Sequence, residues 1–220
     1  MVPGTDTRKK VLSLLCFLLT RPQFTATREQ VLEALWPEMD PEAGANSLNQ
    51  SAYFLRRVFE PECDDDTSAG YLRSRADLIW LDNELVQSRS SDCLKLLGAI
   101  RRDSSPELVG RLAETYTGRF AVDFIYDDWA SCFRDTLHAS FLDRVERAVT
   151  RDTNAGAFDR ALRLAQLAMH ADPEAEQIEL CLLRLYRRTG ADAAAAEQYS
   201  HYATVMRDQL GVEPPPLESI

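Results

Sequence analysis

Residues 40–61 constrain the fold of this chain more than any other stretch, because both ends of a helix and its separate faces can be read there. Asp40 offers an acceptor to the free amides of a first turn, and Pro41 suits the first helical position, where no donor is lost. Pro61 closes the segment, since proline disfavours helical geometry in the residue before it. Between them Ala45, Leu48, Ala52, Leu55 and Phe59 recur at helical spacing and give one apolar face. Asn46, Gln50, Tyr53 and Arg57 line another, with Asn49 and Arg56 flanking it. Amides and arginines read base edges and hold phosphates, but the same set also suits the solvated side of an ordinary helix. The neighbours must decide.

Before this helix, Val11, Leu12, Leu15, Leu18 and Leu19 predict a helix over 7–20, after a disordered start at 1–6. Arg8, Lys9 and Lys10 at its beginning oppose the helix dipole, so stability does not explain them; they suit phosphates or solvent. A second helix begins in the run 25–30, with Thr27 as cap and Gln30 completing a capping box. Val31, Leu32, Leu35 and Trp36 form its inner face, and Pro37 ends it. A longish turn then leads to the helix at 41–60, as in a helix-turn-helix or a looser variant. Past Pro61, residues 62–66 read as a flexible acidic loop. Residues 70–81 place β-branched and aromatic residues around the polar centre 74–77, which predicts a short hairpin with Arg73 and Arg75 at its tip. Three helices and a hairpin make a winged helix at about 7–85.

The polar residues 82–90 read as a domain boundary, and the remainder is helical. Ser90 or Ser91 caps a helix to about Ile100, Ser105 starts another to Tyr116, and a long amphipathic helix covers about 128–151. Gly156 and Gly190 open similar runs 34 residues apart, the period of tetratricopeptide helix pairs. Ala161, Ala168 and Pro173 fall where that pattern wants small residues and a turn proline, with Tyr186, Ala195 and Tyr199 agreeing in the next unit. The expected fold is mainly α: a winged helix followed by an all-α tetratricopeptide-like repeat domain at about 90–216. Such stacks bind protein.

Composition sets limits on function. A net charge of −10 excludes a coat for non-specific nucleic-acid binding. Residues 1–85 hold 9 Lys+Arg against 14 Asp+Glu, so the winged helix is itself acidic. Screening acts over about 8 Å at physiological salt, so a local contact survives that balance. The apolar run 11–19 is too short to span a membrane. Five scattered cysteines without a CxxC pair indicate neither zinc nor a disulfide framework and fit a reducing cytoplasm. His138, His170 and His201 have no ligand-like spacing, and phosphate loops and nucleophile elbows are absent, so no enzyme, cofactor or metal is expected.

Several phrases resemble one family. Glu33-Ala34-Leu35-Trp36-Pro37, Leu55-Arg56-Arg57 and Gly70-Tyr71-Leu72 are similar to the OmpR-type winged helix of the Streptomyces antibiotic regulatory proteins. The runs 115–120, 170–176 and 210–214, with Trp129, resemble the bacterial transcriptional activator domain joined to it. The resemblance covers about 8–216 and implies a bacterial transcription regulator that contacts promoter DNA and RNA polymerase, the latter through the loop 36–44. The same pair of domains also ends much longer regulators that carry an ATPase module, so the chain reads as a fragment of one or as a regulator by itself. A homodimer or a partner is expected to offset weak DNA binding. Two departures stand out: the family's N-terminal sheet has no counterpart before Thr7, and Phe54 stands where a basic residue is common. Residues 41–60 are electrically neutral, with Glu42 and Glu60 against Arg56 and Arg57, so a monomer is expected to grip DNA weakly. The DNA-binding expectation rests on Asn46, Asn49, Gln50, Tyr53, Arg56, Arg57, Arg73 and Arg75. The alternative is a protein-interaction module of a larger regulator whose winged helix no longer binds DNA.

Overall fold

The computed structural model describes residues 5–61, 70–102 and 105–220. The predicted acidic loop at 62–66 and Cys63 lie outside them, as do residues 1–4. The chain is mainly helical, in the order α1 (Thr5–Leu19), β1 (Thr25–Thr27), α2 (Arg28–Leu35), α3 (Pro41–Phe59), β2 (Leu72–Arg75), β3 (Leu78–Leu81), α4 (Arg89–Ile100), α5 (Pro106–Thr115), α6 (Asp128–Asn154), α7 (Phe158–Ala171), α8 (Glu176–Thr189) and α9 (Asp192–Leu210). It divides into two compact units, Met1–Ser91 with Phe120–Asp135, and Asp92–Arg119 with Thr136–Ile220.

The first unit is a winged helix. Thr27 and Gln30 form the capping box, each side chain meeting the other's backbone amide at 3.1 and 3.0 Å. Asp40 Oδ1 accepts from the amides of Glu42 and Ala43, and Pro41 takes the first turn of α3. Between α2 and α3 the backbone approach is close, and a Cβ on Gly44 would meet Leu32 at 3.3 Å. Leu48, Ala52 and Leu55 from α3 are buried with Leu14, Phe17 and Leu18 from α1, Val31 from α2, and Ile79 and Leu81 from β3. Trp129 closes over Phe17, ring centroids 6.0 Å apart.

Two local readings need correction. Thr25-Ala26-Thr27 is not the start of a helix but a strand, pairing antiparallel with β3 in the sheet order β1-β3-β2. The hairpin is therefore two-thirds of a small sheet, and Ala26 is buried opposite Ile79. Three residues are too few to announce a strand by alternation, and the threonine cap drew the reading toward helix. At the other end of the expected disordered start, Thr5 and Asp6 already belong to α1.

In the second unit, Ser105 caps α5 as its position predicts, whereas α4 starts at Arg89, ahead of the serines. Gly156 and Gly190 both take left-handed conformations, with φ of +75° and +71°, at the turns before α7 and α9. A side chain there would be strained, which is why glycine occurs twice at that spacing. Ala161, Ala168 and Ala195 are fully or almost fully buried between successive helices. Asp152, with 1% of its side chain exposed, ties α6 to α7 by accepting from Arg160 at 2.6 and 3.0 Å and from Arg151 at 3.0 Å.

Candidate nucleic-acid interface

Burial of the Leu48, Ala52 and Leu55 side of α3 leaves Asn46, Asn49, Gln50, Tyr53 and Arg57 exposed on the other. Asn49 accepts a hydrogen bond from Arg28 Nη2 at 2.6 Å, which brings the first residue of α2 beside the exposed stripe. The same Arg28 donates its backbone amide to the carbonyl of Asp77 in the hairpin turn, at 2.8 Å. The stripe, the start of α2 and the wing turn thus form one continuous surface. Arg57 stacks its guanidinium 5.6 Å from the Tyr53 ring and donates to the Pro61 carbonyl at 3.3 Å.

The other three arginines expected at the site are held differently. Arg56 is half-buried; its Nε donates to the Leu72 carbonyl at 3.1 Å and its Nη2 to Ser74 Oγ at 3.3 Å, so it braces α3 against β2. Arg73 sits at the base of the wing, not at its tip, paired with Asp82 at 3.0 Å and bonded to the Gly70 carbonyl. Arg75 is the tip residue, exposed beside Ala76, which takes the left-handed conformation the two-residue turn needs.

Arg28 and Arg8 were not among the expected site residues. Arg8 lines a groove of about 820 Å³ together with Leu12, Tyr53, Phe54, Arg57 and Val58, next to the stripe. The basic run Arg8-Lys9-Lys10 was the signal for it; Lys9 is turned toward the Phe124 ring instead. Thr27 as cap already makes Arg28 the first residue of α2, but its partners Asn49 and Asp77 depend on the tertiary fold and left no sequence signal. Among the described residues, Arg8, Arg28, Arg57 and Arg75 have no carboxylate within ion-pair distance, which leaves their charges for an outside anion. Phe54 is half-buried, edge-on to Tyr53 at 5.5 Å, and packs toward the core.

The second unit holds a buried polar cluster. Tyr116 and the Nδ1 of His138 lie 2.7 Å apart, and His138 Nε2 is 2.8 Å from Asp172, which Arg119 also reaches at 3.3 Å. Burial, above the opposing charge of Arg119, pushes the Tyr116 hydroxyl well above its ordinary range. A sealed tyrosine of that kind braces helices and neither donates nor accepts protons near neutral pH. Burial first, and then Asp123 and Asp92, push the Cys16 and Cys93 thiols up to about 11, where they are poor nucleophiles. Among the described residues no group of three or more His, Cys, Asp or Glu could hold a metal ion, and no helix is long and apolar enough to cross a membrane.

A winged helix with an exposed amide and arginine stripe, continued by a helical unit, is the architecture of a transcription regulator. The chain belongs to the bacterial transcriptional activator domain family, whose model matches residues 82–217. It is 29% identical over 206 residues to the regulatory protein AfsR of Streptomyces coelicolor (strain ATCC BAA-471 / A3(2) / M145), covering 93% of this chain and 20% of that protein. To the regulatory protein AfsR of Streptomyces griseus it is 26% identical over 205 residues, covering 93% and 21%. The chain thus spans about a fifth of the length of these relatives. The resemblance to a family of bacterial transcription regulators holds.

Proposed function

We propose that the chain binds promoter DNA through its first unit. The observation that carries this reading is the continuous surface of α3, the start of α2 and the wing turn, with four arginines nearby that lack carboxylate partners among the described residues. In it α3 enters the major groove, where Asn46, Asn49 and Gln50 read base edges, since amides bond bidentately to adenine. Tyr53 and Arg57 follow along the same face. Arg8, Arg28, Arg57 and Arg75 hold phosphates, while Arg56 and Arg73 fix the wing that presents Arg75.

Four phosphate contacts give a slope of about −3.6 in log affinity against log salt, modest for a specific binder. A single copy is therefore too weak to hold a promoter at cellular salt, and the working form is a homodimer on repeated half-sites or a complex with a partner. The loop expected at 36–44 is shortened by the start of α3 at Pro41. Its exposed residues 37–40 are open to RNA polymerase, while the helical unit mediates dimerisation or regulation. The chain acts as the DNA-contacting part of a regulator in the cytoplasm. An electrophoretic shift on the promoter of its own gene cluster, at two salt concentrations, tests the reading. A specific, salt-sensitive shift lost in Asn49→Ala plus Gln50→Ala supports it; no specific shift at low salt overturns it.

A second reading has its own observations. The unit is acidic overall, and Phe54 turns a frequent basic position inward. On that reading the winged helix is a protein-interaction module, and capture of a partner survives Arg28→Ala plus Arg57→Ala.

A further inference from the structure

One charge cluster of the second unit belongs neither to the stacking of its helices nor to the DNA-facing surface. A pocket of about 470 Å³ opens between the last turn of α6 and α8, lined by Thr150, Asn154, Cys181, Arg184, Arg187 and Arg188. All three cations come from one helix and lie within one turn of each other. Like charges so placed repel and weaken a helix. The dipole at the C-terminal end of α8 offsets part of that cost for Arg187 and Arg188, but it does not require that they converge on a pocket with Arg184.

The partners of Arg187 and Arg188 are neutral, while Arg184 meets a main-chain oxygen of Ile220, the last residue of the sequence. Arg184 Nε donates to the Ile220 main-chain oxygen at 3.3 Å, and Arg187 Nη1 to the carbonyls of Leu217 and Glu218 at 3.0 and 3.2 Å. Arg188 Nη1 donates to Asn154 Oδ1 at 3.0 Å. Among the described residues no carboxylate side chain lies within ion-pair distance of any of the three. In the same unit Arg147, Arg151, Arg160, Arg163 and Arg207 each have one. Carboxylates are plentiful, with 35 acidic residues against 25 basic ones, yet no described carboxylate side chain meets the three arginines that line this pocket. Glu146, one turn back on α6, is felt at Cys181 but pairs with none of the three.

We infer that this pocket binds a small oxyanion-bearing metabolite, a phosphate monoester or a polycarboxylate, held by Arg184, Arg187 and Arg188, with Thr150 and Asn154 contacting the remainder. Guanidinium groups match such oxyanions bidentately, and the volume lies in the range of small-molecule sites. Arg184 and Arg187 also fasten residues 217–220, so an anion that draws them away loosens that segment. Binding is thereby coupled to the end of the helical unit.

The test titrates the full chain with phenyl phosphate, citrate and, as a neutral match, phenol, at constant ionic strength. Amide and arginine Nε–H resonances report the site. Saturable shifts at Thr150, Asn154, α8 and 217–220 are expected with one or both anions and not with phenol. Phenyl phosphate alone identifies the phosphate source, and citrate alone the carboxylate source. Arg184→Gln plus Arg188→Gln weakens binding by about tenfold or more without moving the unfolding midpoint. If the double variant unfolds, Arg188→Gln alone serves, since glutamine keeps a donor toward Asn154. No saturable shift with either anion, equal shifts with phenol, or undiminished binding in the variant overturns the inference.

Discussion

Arg56 and Arg57 are neighbours in the chain with separable roles, and replacing each by glutamine measures the separation. Arg57 is exposed, and its in-chain contacts are a 3.3 Å bond to a carbonyl and the Tyr53 ring. Losing it removes one phosphate contact, which at ~0.15 M salt lowers DNA affinity about fivefold and the salt slope by about 0.9. Stability changes by less than about 0.5 kcal/mol, as for most surface substitutions. Arg56 instead donates to the Leu72 carbonyl and Ser74 Oγ from a half-buried position. A hydrogen bond from a charged donor contributes about 1.5–3 kcal/mol, and partial exposure reduces this to about 1–1.5 kcal/mol. For a chain of this length each kcal/mol corresponds to about 2–4 °C in Tm. Urea unfolding and fluorescence anisotropy on a promoter duplex, over a series of salt concentrations, give both quantities for both variants. The reasoning fails if Arg56→Gln flattens the salt slope as Arg57→Gln does while leaving the unfolding midpoint in place.

Three further outcomes are expected. Burial pushes the Asp152 carboxyl up, but hydrogen bonds from Arg160 and Arg151 outweigh it and leave the group below its ordinary range. Its stabilisation is therefore present above the unfolded value of about 4 and lost as pH falls through the lower folded value. Asp152→Asn costs about 2 kcal/mol at neutral pH and flattens the loss of stability below about pH 4, read by urea unfolding across pH. Ala76→Gly relieves a left-handed residue in the wing turn; the relief of about 1–2 kcal/mol exceeds the entropy glycine adds, so the Tm rises slightly with DNA affinity unchanged. Ala168→Leu, at a fully buried contact between α7 and its neighbours, costs about 1–3 kcal/mol by overpacking, and calorimetry should find the helical unit destabilised.

Local chemistry was what the sequence exposed best. The caps at Thr27, Asp40 and Ser105 act within three residues of themselves, and the glycines at 156 and 190 impose backbone angles no neighbour can change. What stayed hidden was set by distant partners. β1 exists because Ala26 meets Ile79, more than fifty residues away. Arg56 and Arg73 look alike in sequence to Arg57 and Arg75, and only the backing strand and Asp82 divide them. His138 shows no ligand spacing, yet it lies between Tyr116 and Asp172, which come from elements far apart in the chain. Nor does spacing assign residues 120–135, in the sequence a lead-in to the helical domain, to the first compact unit.

The short strand β1 changes what kind of object the wing is. A hairpin hung from two ends can bend toward a groove independently of the helices behind it. Here β3 is the middle strand, and the amide of Arg28 at the head of α2 holds the Asp77 carbonyl at its turn. The wing and α2 therefore behave as one lever, and Arg75 cannot shift without moving Arg28 and its Asn49 partner. On the proposed DNA-binding reading, DNA whose groove spacing suits only one of these contacts gains little from it, because the protein cannot flex to make the other. Rigidity of this kind turns groove shape itself into a selective filter.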